Sequence, residues 1–478
     1  EKTTMCPVPS SKWRREVGVS SLFAGNGSSW VPLVLGVSPL AVALGALCFY
    51  VPKALRWHVG RSCVFALGAY VVTRWSMPVI AGKIPTQKRG CDLLKRPVRE
   101  AIVEADREVP ESLGIASGVA FVVALVLTQA FVASDVMPHD EYASAMLSIV
   151  FAVLLGFVDD FLDLEWKYKY VLPPLMSLPL LSAYDGGTRI VPPKFCRAQL
   201  VKEGNWASRA VHVVLERVFG GSVDFGSGAV DLGLAYGVYM VALGVFCTNA
   251  INIYAGVNGL EAGQIYVIAC AVLTMSAVEL GSLAGGDEED GDFGSEEEGG
   301  EEGGSSSSLL FFRSAKNHLF SVTLMLPFAA TTLALLRSNW FPARVFVGDT
   351  FTNYAGMTLA VVAILGHFPI MLMLLMVPQL LNFLLSIPQL VGLRPCPRHR
   401  LPTYDETTGK LRASRINDRK DIVSVSEGRK LNLTLINVAL VLGGPMTEPA
   451  LATLLVAFQV LCCAIGLALR FSLAGHIY

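Results

Sequence analysis

The chain has 478 residues, of which 53% are hydrophobic and 16% charged, and its mean hydropathy is +0.52. This balance excludes an ordinary soluble protein and is typical of a chain that crosses a membrane several times. A net charge of −1 excludes a globally basic surface for nucleic acid. The ten scattered cysteines form no Cys-x-x-Cys pair and give no sign of a zinc site or a disulfide framework.

Apolar segments follow one another along most of the chain and predict membrane helices. They lie at 31–51, 63–81, 113–134, 144–162, 168–184, 232–253, 260–283, 317–336, 343–365, 367–391 and 448–470. Basic residues precede the first segment, which therefore resembles a signal anchor or targeting segment. We predict an all-α polytopic membrane protein in which residues 60–478 form about ten core transmembrane helices. Residues 1–59 are an N-terminal extension that carries the extra apolar segment 31–51.

Polar loops separate these helices. The loop 285–308 consists almost wholly of Gly, Asp, Glu and Ser, cannot bury a core and is predicted to be disordered. Loops 82–112 and 392–432 are both strongly basic, and the even number of spans between them puts both on the cytoplasmic side. Asn432 begins an Asn-Leu-Thr sequon and should stay unglycosylated on that side.

Two adjacent carboxylates, Asp159 and Asp160, appear at the end of an apolar run, and Asp163 follows one turn later. A charged residue at the centre of a membrane helix costs about 2.5–3.5 kcal/mol, and less near the interface. The pair is therefore either a helix end that enters water or an intramembrane acidic site that holds a cation or handles a proton. The polar stretches that follow favour the acidic site.

The stretch 249–264 carries amides and glycines at a helix end. Asn252 lies one helical turn after Asn249, and two glycines bracket Asn258 in a predicted tight turn. Amide oxygens are hard ligands that suit Mg²⁺, and a glycine turn lets backbone amides approach a phosphate or a base. The alternative is a hydrogen-bonded contact between helices beside a flexible loop.

A further carboxylate, Asp349, follows Gly348 in an otherwise apolar run. Phe346 lies three residues earlier, so a helix or turn would place its ring beside the carboxylate. A lone Asp in a membrane segment is a functional candidate, and an ion pair with Arg344 is the structural alternative. A charged residue, Arg74, also interrupts the segment 63–81; it either snorkels or faces a protein interior.

The proline-rich loop 394–402 places Arg398 and Arg400 on either side of His399. Guanidinium groups match phosphate oxygens through paired hydrogen bonds, although contact with anionic lipid is the alternative. Taken together, the polar stretches predict phosphoryl transfer. They provide carboxylates and an amide for Mg²⁺, cations for a pyrophosphate and an aromatic ring for a base, at a membrane surface where one substrate is a lipid.

Several runs resemble the eukaryotic UDP-N-acetylglucosamine–dolichyl-phosphate N-acetylglucosaminephosphotransferases, a family in the superfamily of the bacterial phospho-MurNAc-pentapeptide translocase. The matching runs are LGFVDD at 155–160, W-x-x-K at 166–169, NAINIYAGVNGLEAGQ at 249–264, NWFPARVFVGDTF at 339–351, AGMTLAVVAILGHF at 355–368 and PCPRHRLP at 395–402. The resemblance implies transfer of GlcNAc-1-phosphate from UDP-GlcNAc to dolichyl phosphate, the first step of N-glycan precursor synthesis. It also implies a ten-helix core, a cytosol-facing site in the endoplasmic reticulum membrane, a Mg²⁺ cofactor, a homodimer and inhibition by tunicamycin.

The resemblance also implies roles for the matched polar residues. Asn252 and Asp349 would hold Mg²⁺, and Lys169 would neutralise the diphosphate with Arg398. Asp159 and Asp160 match the family's aspartate pair, which either acts as a base toward the lipid phosphate or only organises metal and lysine. Because a phosphate monoester is already largely ionised at neutral pH, an electrostatic role with direct attack is favoured.

Other matched positions are expected to contact the substrates. The expected uridine contacts are Leu93, Asn258 and Phe346; the expected GlcNAc contacts are Trp166, His399 and Arg400; and Glu111 matches a family glutamate beside the arginine loop. Two positions depart from the family pattern. Cys91 stands where relatives often carry Gln, and Asp163 stands where some carry Asn, so neither is assigned a ligand.

Two rival functions stay open at this point. One is the same chemistry with another UDP-sugar or another polyprenyl phosphate. The other belongs to a different class, a cation-coupled membrane transporter that uses the aspartates as a relay. A transporter predicts discontinuous helices at the bilayer midplane and a path to both faces.

Overall fold

A computed structural model shows the protein as a bundle of α-helices. The residues that the structure describes are 30–85, 88–91, 108–131, 138–164, 171–184, 187–190, 212–213, 215–223, 230–285, 306–396, 400–405, 407–414 and 431–477. The predicted loop 285–308 therefore lies outside the described residues except at its two ends, where residue 285 ends one helix and residues 306–308 begin the next.

Helices account for most of the described chain. They are α1 (Trp30–Tyr50), α2 (Arg56–Ala81), α3 (Gly114–Phe131), α4 (His139–Leu162), α5 (Leu172–Ala183), α6 (Leu234–Ile253), α7 (Leu260–Gly285), α8 (Ser306–Asn339), α9 (Gly348–Leu365), α10 (Pro369–Leu375), α11 (Val377–Leu390), α12 (Leu435–Gly443) and α13 (Glu448–Ile477). The described strands are short: β1 (Arg89–Cys91), β2 (Glu108–Pro110), β3 (Arg189–Ile190), β4 (Ser222–Val223), β5 (Val230–Asp231), β6 (Thr403–Asp405) and β7 (Lys410–Arg412). They form two antiparallel pairs, β1–β2 and β6–β7, and one three-stranded sheet in the order β3-β5-β4.

Seven of the described helices are long and apolar enough to cross a membrane, namely α2, α3, α4, α6, α7, α8 and α13. The pair α10–α11 also qualifies if it is counted as one broken span, whereas α5 is shorter. The predicted fold class, an all-α polytopic membrane protein, is confirmed. The predicted count of about ten core helices is not confirmed, since seven or eight of the described helices meet these criteria.

Two predicted elements differ from the structure. The segment 367–391 is not one helix, because the chain bends by 77° at Met376 between α10 and α11. Pro378 stands at the start of α11, and proline has no amide hydrogen to continue the ladder of the preceding helix. The helix α12 is absent from the sequence prediction, since its nine residues are too few to give a spanning signal.

The helix α9 forms the centre of the bundle. Every residue from Thr350 to Leu365 is buried, and α9 contacts α3, α4 and α6. A glycine allows the close approach to α4: a Cβ at Gly156 of α4 would lie 2.8 Å from Cα of Thr350. Small residues at such crossings let the backbones of membrane helices come together. The end of α4 therefore lies directly against the start of α9.

Asn432, which lies shortly before α12, is also buried. Asn432 is 4% exposed, its Nδ2 donates to Oγ of Ser414 at 2.8 Å, and its Oδ1 accepts from Nε2 of Gln389 at 3.2 Å. The buried amide groups of Asn432 and Gln389 therefore have hydrogen-bond partners within the protein. The sequon asparagine is therefore part of the packed structure.

Candidate active site

The carboxylate of Asp160 holds the first turn of α9. Its Oδ1 accepts a hydrogen bond from the backbone N–H of Asp349 at 2.7 Å. Its Oδ2 accepts from the backbone N–H of Thr350 at 2.9 Å and from Oγ1 of Thr350 at 2.5 Å. The first N–H groups of a helix have no partner within it, and the helix dipole favours a negative charge there. Asp160 on α4 therefore caps α9 and fixes the position of Asp349.

Glycine at position 348 makes this contact possible. Gly348 has φ of +72°, which disfavours side chains with a Cβ. A Cβ at this position would also overlap Oδ2 of Asp160 and lie 2.7 Å from Cα of Ser112. The Gly348-Asp349 pair in the sequence is thus a turn that lets the Asp160 carboxylate reach the helix start.

Asn252 and Asp349, the predicted metal ligands, meet in the structure. Nδ2 of Asn252 donates to Oδ1 of Asp349 at 2.8 Å, although the two residues lie far apart in sequence. The alternative prediction of an ion pair with Arg344 is wrong: Arg344 is exposed, and no ion pair joins it to Asp349 among the described residues. The carboxylate and the amide therefore form one polar unit between α6 and α9.

A small cavity lies beside this unit. Its volume of about 20 Å³ has room for roughly one water-sized sphere. Its lining residues are Asp159, Leu172, Pro173, Asn249, Asn252 and Asn353. Asp159 is only 4% exposed, so the alternative reading of the aspartate pair as a helix end entering water is wrong. The two aspartates therefore have different contacts: Asp160 caps α9, whereas Asp159 lines the cavity.

The residues around the cavity suit a hard divalent cation. Carboxylate and amide oxygens are the ligands that Mg²⁺ prefers, and it commonly takes only one or two carboxylates from the protein. The described residues contain no group of three or more His, Cys, Asp or Glu side chains that could hold a metal ion, so a cation here would depend on amide oxygens beside the carboxylates. Asn353, one helical turn after Asp349, was not identified from the sequence; the spacing of four residues on one helix is the signal that points to it.

Lys88 and Glu111 lie at the edge of the site. Nζ of Lys88 donates to the backbone carbonyl of Asp160 at 3.1 Å, and the N–H of Glu111 donates to the carbonyl of Lys88 at 3.3 Å. Burial raises the pKa of the Glu111 carboxyl, Lys88 opposes this shift, and Asp349 and Asp163 add to it. Lys88 was not singled out from the sequence, where it is one of many cations in a basic loop.

The backbone of Phe346 is hydrogen-bonded to the segment that contains Glu111. Its N–H donates to the carbonyl of Pro110 at 2.9 Å, and its carbonyl accepts from the N–H of Leu113 at 3.0 Å. These bonds hold the segment that carries Glu111 beside the segment that leads into Asp349. The Phe346 side chain is half-buried, so part of its ring is accessible to a ligand.

The turn that contains Asn258 is held by two other helices. The N–H of Asn258 donates to Oε1 of Glu448 at 2.8 Å, and the N–H of Gly259 donates to Oδ1 of Asn339 at 3.1 Å. The alternative prediction is thus met in one half only: the hydrogen-bonded contact between helices is present as Asn252 with Asp349, but the turn is held by hydrogen bonds to Glu448 and Asn339 and is not a loose loop. Asn258 is 7% exposed, so only a small part of this residue is accessible to a ligand.

Arg400 approaches the same turn from the basic loop. The next residue, Leu401, lies against Gly256, where an added Cβ would be 2.5 Å from Cδ2 of Leu401. Nη1 of Arg400 is buried and has no hydrogen-bond partner among the described residues. Burial lowers the pKa of Arg400 from its ordinary value, but a guanidinium remains charged at neutral pH. A buried guanidinium nitrogen without a partner fits an anionic ligand.

Some predicted site residues cannot be placed. Leu93, Trp166, Lys169, Arg398 and His399 lie outside the described residues. The structure brings together the other predicted polar residues at one end of the bundle, where α4 and α6 end and α7 and α9 begin. This end provides buried carboxylates, neutral amide oxygens, a cation and a half-buried aromatic ring, the set of groups that a site for phosphoryl transfer needs.

Comparison with known proteins identifies the family. The model of Glycosyl transferase family 4 matches residues 142–367. A UDP-N-acetylglucosamine–dolichyl-phosphate N-acetylglucosaminephosphotransferase of Dictyostelium discoideum is 40% identical over 436 residues, which cover 90% of this chain and 93% of the relative. The Saccharomyces cerevisiae protein of the same name is 35% identical over 381 residues, 72% of each chain.

A bacterial relative is more distant. The phospho-N-acetylmuramoyl-pentapeptide-transferase of Clostridium perfringens is 23% identical over 277 residues, which cover 58% of this chain and 68% of the relative. The resemblance inferred from the sequence motifs is confirmed by these relatives.

Proposed function

Because the chain belongs to the family of UDP-N-acetylglucosamine–dolichyl-phosphate N-acetylglucosaminephosphotransferases, we propose that it transfers GlcNAc-1-phosphate from UDP-GlcNAc to dolichyl phosphate. The products are GlcNAc-PP-dolichol and UMP. The observation that carries the proposal is the meeting of Asn252 and Asp349 beside a cavity lined by Asp159, at the end of a membrane bundle. A lipid phosphate and a water-soluble nucleotide can meet only at such a boundary.

The reaction exchanges one phosphoanhydride (P–O–P) bond for another. An oxygen of dolichyl phosphate forms a bond to the phosphorus that carries GlcNAc. The bond from that phosphorus to the bridging oxygen breaks, and UMP leaves with the electron pair. No base is required, because the acceptor phosphate is already largely ionised at neutral pH.

The residues of this chain bind and orient the donor. Asp349 and Asn252, with Asp159, Asn249 and Asn353 around the cavity, would hold Mg²⁺, which when bound neutralises charge on the diphosphate. We assign Asp160 a positioning role. Its carboxylate already accepts three hydrogen bonds from the start of α9, which supports an electrostatic function rather than proton transfer.

The remaining predicted residues are proposed to bind substrate. Phe346 would stack on uracil, and Arg400 would bind phosphate or sugar oxygens through its unpaired nitrogen. Lys169 and Arg398 are proposed to neutralise the diphosphate. The other proposed contacts are Leu93, Glu111, Trp166, Asn258 and His399.

We also propose a ten-helix core in the endoplasmic reticulum membrane, with the site facing the cytosol and two chains forming a homodimer. The core would consist of the seven long apolar helices, the broken pair α10–α11, the short α5 and the buried α9. A helix surrounded by protein, as α9 is, needs no apolar surface toward lipid. The basic loops beside the site support the cytosolic orientation.

One observation bears on the rival transport function. The broken pair α10–α11 is a discontinuous helix of the kind that transporters use. However, Gln379 of α11 contacts Gln264 and Gln459 rather than carboxylates. The acidic groups of the site lie at the start of α9 instead, which supports transfer over ion coupling.

The testing experiment is transfer of labelled GlcNAc-1-phosphate from UDP-GlcNAc to dolichyl phosphate by purified protein, with and without Mg²⁺ and tunicamycin. Metal-dependent, tunicamycin-blocked product is expected. Asp349→Ala and Asn252→Ala should each keep less than about a tenth of the activity, since a lost metal ligand costs several kcal/mol in the transition state. Asp140→Ala, which removes an exposed carboxylate at the opposite end of α4, should leave activity unchanged. Folded protein that gives no product would overturn the proposal.

A further inference from the structure

The charged residue inside α2 points to a second site. Arg74 lies about two helical turns before the end of α2 and is half-buried. Its Nη1 donates to Oγ of Ser338 on α8 at 2.9 Å. Its Nε is buried and has no hydrogen-bond partner among the described residues. Arg74 therefore neither snorkels freely into water nor has all its donors satisfied by protein.

Two further arginines meet at the same serine. Arg337 precedes Ser338 in α8, and the backbone N–H of Arg344 donates to the carbonyl of Ser338 at 2.8 Å. The side chains of Arg337 and Arg344 are exposed. The charges of Arg337 and Arg344 both act on Arg74, so the three cations, from α2, from the end of α8 and from the loop that follows, lie near one another.

No ion pair with a carboxylate balances this group, Arg74, Arg337 and Arg344, among the residues that the structure describes. A partly buried cation without a counterion is costly, and like charges placed together add to the cost. An anion from outside the chain would remove both penalties.

The position of the cluster indicates what that anion is attached to. Arg337 lies two residues before the end of a membrane helix, at the level where headgroups meet the protein. Trp75, next to Arg74, is 68% exposed, and exposed tryptophan is typical of the membrane interface. A cluster of arginines beside an interfacial tryptophan is suited to a lipid headgroup rather than to a soluble anion.

We propose that Arg74, Arg337 and Arg344 bind the phosphate headgroup of an anionic phospholipid. The two exposed guanidinium groups of Arg337 and Arg344 would donate to the phosphate oxygens, and the negative charge of the headgroup would balance the partly buried charge of Arg74. This site is separate from the transfer reaction and does not depend on the proposed function. It also has a structural link to the turn that contains Asn258, because Asn339, the residue after Ser338, accepts a hydrogen bond from Gly259.

The test measures binding rather than activity. Delipidated full-length protein in neutral detergent is titrated with dioleoylphosphatidylglycerol, with dioleoylphosphatidylcholine or with inorganic phosphate, and lipid retention is read by native mass spectrometry alongside the melting temperature. Retention and stabilisation by the anionic lipid alone are expected. Arg344→Gln and Arg337→Gln should each weaken binding by about five- to tenfold, in line with about 1 kcal/mol per interfacial cation.

The controls make each outcome decisive. Lys83→Gln removes an exposed cation just after α2 and should leave binding unchanged. Arg74→Gln should abolish retention; if that variant fails to fold, the two exposed arginines still test the site. Equal stabilisation by phosphatidylcholine or by inorganic phosphate overturns the proposal. Displacement of the phospholipid by dolichyl phosphate also overturns it, by identifying the cluster as an acceptor site.

Discussion

Oδ1 of Asp160 and the backbone nitrogen of Asp349 are joined by a hydrogen bond of 2.7 Å, which links residues 189 positions apart in sequence. This contact connects two acidic stretches that belong to different helices. Because one carboxylate positions the other, the effects of their substitutions should be coupled and not independent.

Replacement of Asp160 should therefore act through Asp349. Asp160→Asn removes the charge and one of the acceptor oxygens, so the free energy of unfolding should fall by about 1–3 kcal/mol. The shift of Asp349 should lower kcat by about a hundredfold, as misplacement of a catalytic group does. Thermal melting and steady-state kinetics measure the two effects. A variant with no activity but an unchanged melting temperature would instead assign Asp160 a role in proton transfer.

Substitution of Gly348 should have a similar effect by crowding. Gly348→Ala would press a methyl group against Asp160 and Ser112. Gly392→Ala is the matched control, since Gly392 has φ of +77° and no heavy atom within 4 Å of an added Cβ. The free energy of unfolding of the control should fall by only about 1–2 kcal/mol, the cost of a left-handed backbone conformation for a residue with a Cβ. Gly348→Ala should also lose activity; equal effects in the two variants would remove the crowding argument.

Asn353 should influence the response to Mg²⁺. Asn353→Ala removes an amide from the cavity wall and should raise the Mg²⁺ concentration for half-maximal activity by about 10–100-fold. Asn353→Asp adds a carboxylate and should lower it. The measurement is a Mg²⁺ titration at saturating UDP-GlcNAc. If neither variant moves the titration midpoint, Asn353 does not contribute to the metal site.

Glu111 should make stability depend on pH. Burial raises the pKa of this carboxyl in the folded state, so ionisation destabilises the fold as pH rises through the interval above the unfolded pKa. Glu111→Gln removes that penalty. The melting temperature of the variant relative to the unmodified protein should be higher at pH 7.5 than at pH 4.5. A constant difference across this range would contradict the assigned cause.

The glutamines at the broken helix give a prediction about stability alone. Nε2 of Gln379 donates to Oε1 of Gln264 at 2.6 Å and to Oε1 of Gln459 at 2.7 Å, and all three side chains are fully buried. Gln379→Met should leave two buried acceptors without this donor and lower stability by about 1–3 kcal/mol for each. Adding Gln264→Met should recover part of the loss, as measured by a double-mutant cycle in thermal melting.

The sequence was sufficient to predict the membrane fold and the meeting of Asn252 with Asp349. Polar residues in apolar segments are costly, which drew attention to these stretches, and the resemblance to the family then paired Asn252 with Asp349 as metal ligands. The cap formed by Asp160, the contact of Lys88 and the cavity position of Asn353 could not be predicted. Each depends on which helices pack together, and no local pattern records that.

The orientation test at Asn432 also changes with the structure. Asn432 was predicted to be unglycosylated because of its side of the membrane. Its amide is buried and hydrogen-bonded, so a glycan on it is incompatible with this folded structure on either side. A bare Asn432 therefore does not report topology, and a glycan there would indicate that this residue is not packed as described.

The burial of α9 has a consequence for biosynthesis. This helix carries Asp349, is absent from the group apolar enough to cross a membrane, and is enclosed along its length from Thr350 to Leu365. A segment of this kind is poorly suited to enter lipid alone as it leaves the ribosome. It needs α3, α4 and α6, which are made earlier, to receive it. The site is therefore completed only when a late-synthesised helix docks into a bundle already assembled.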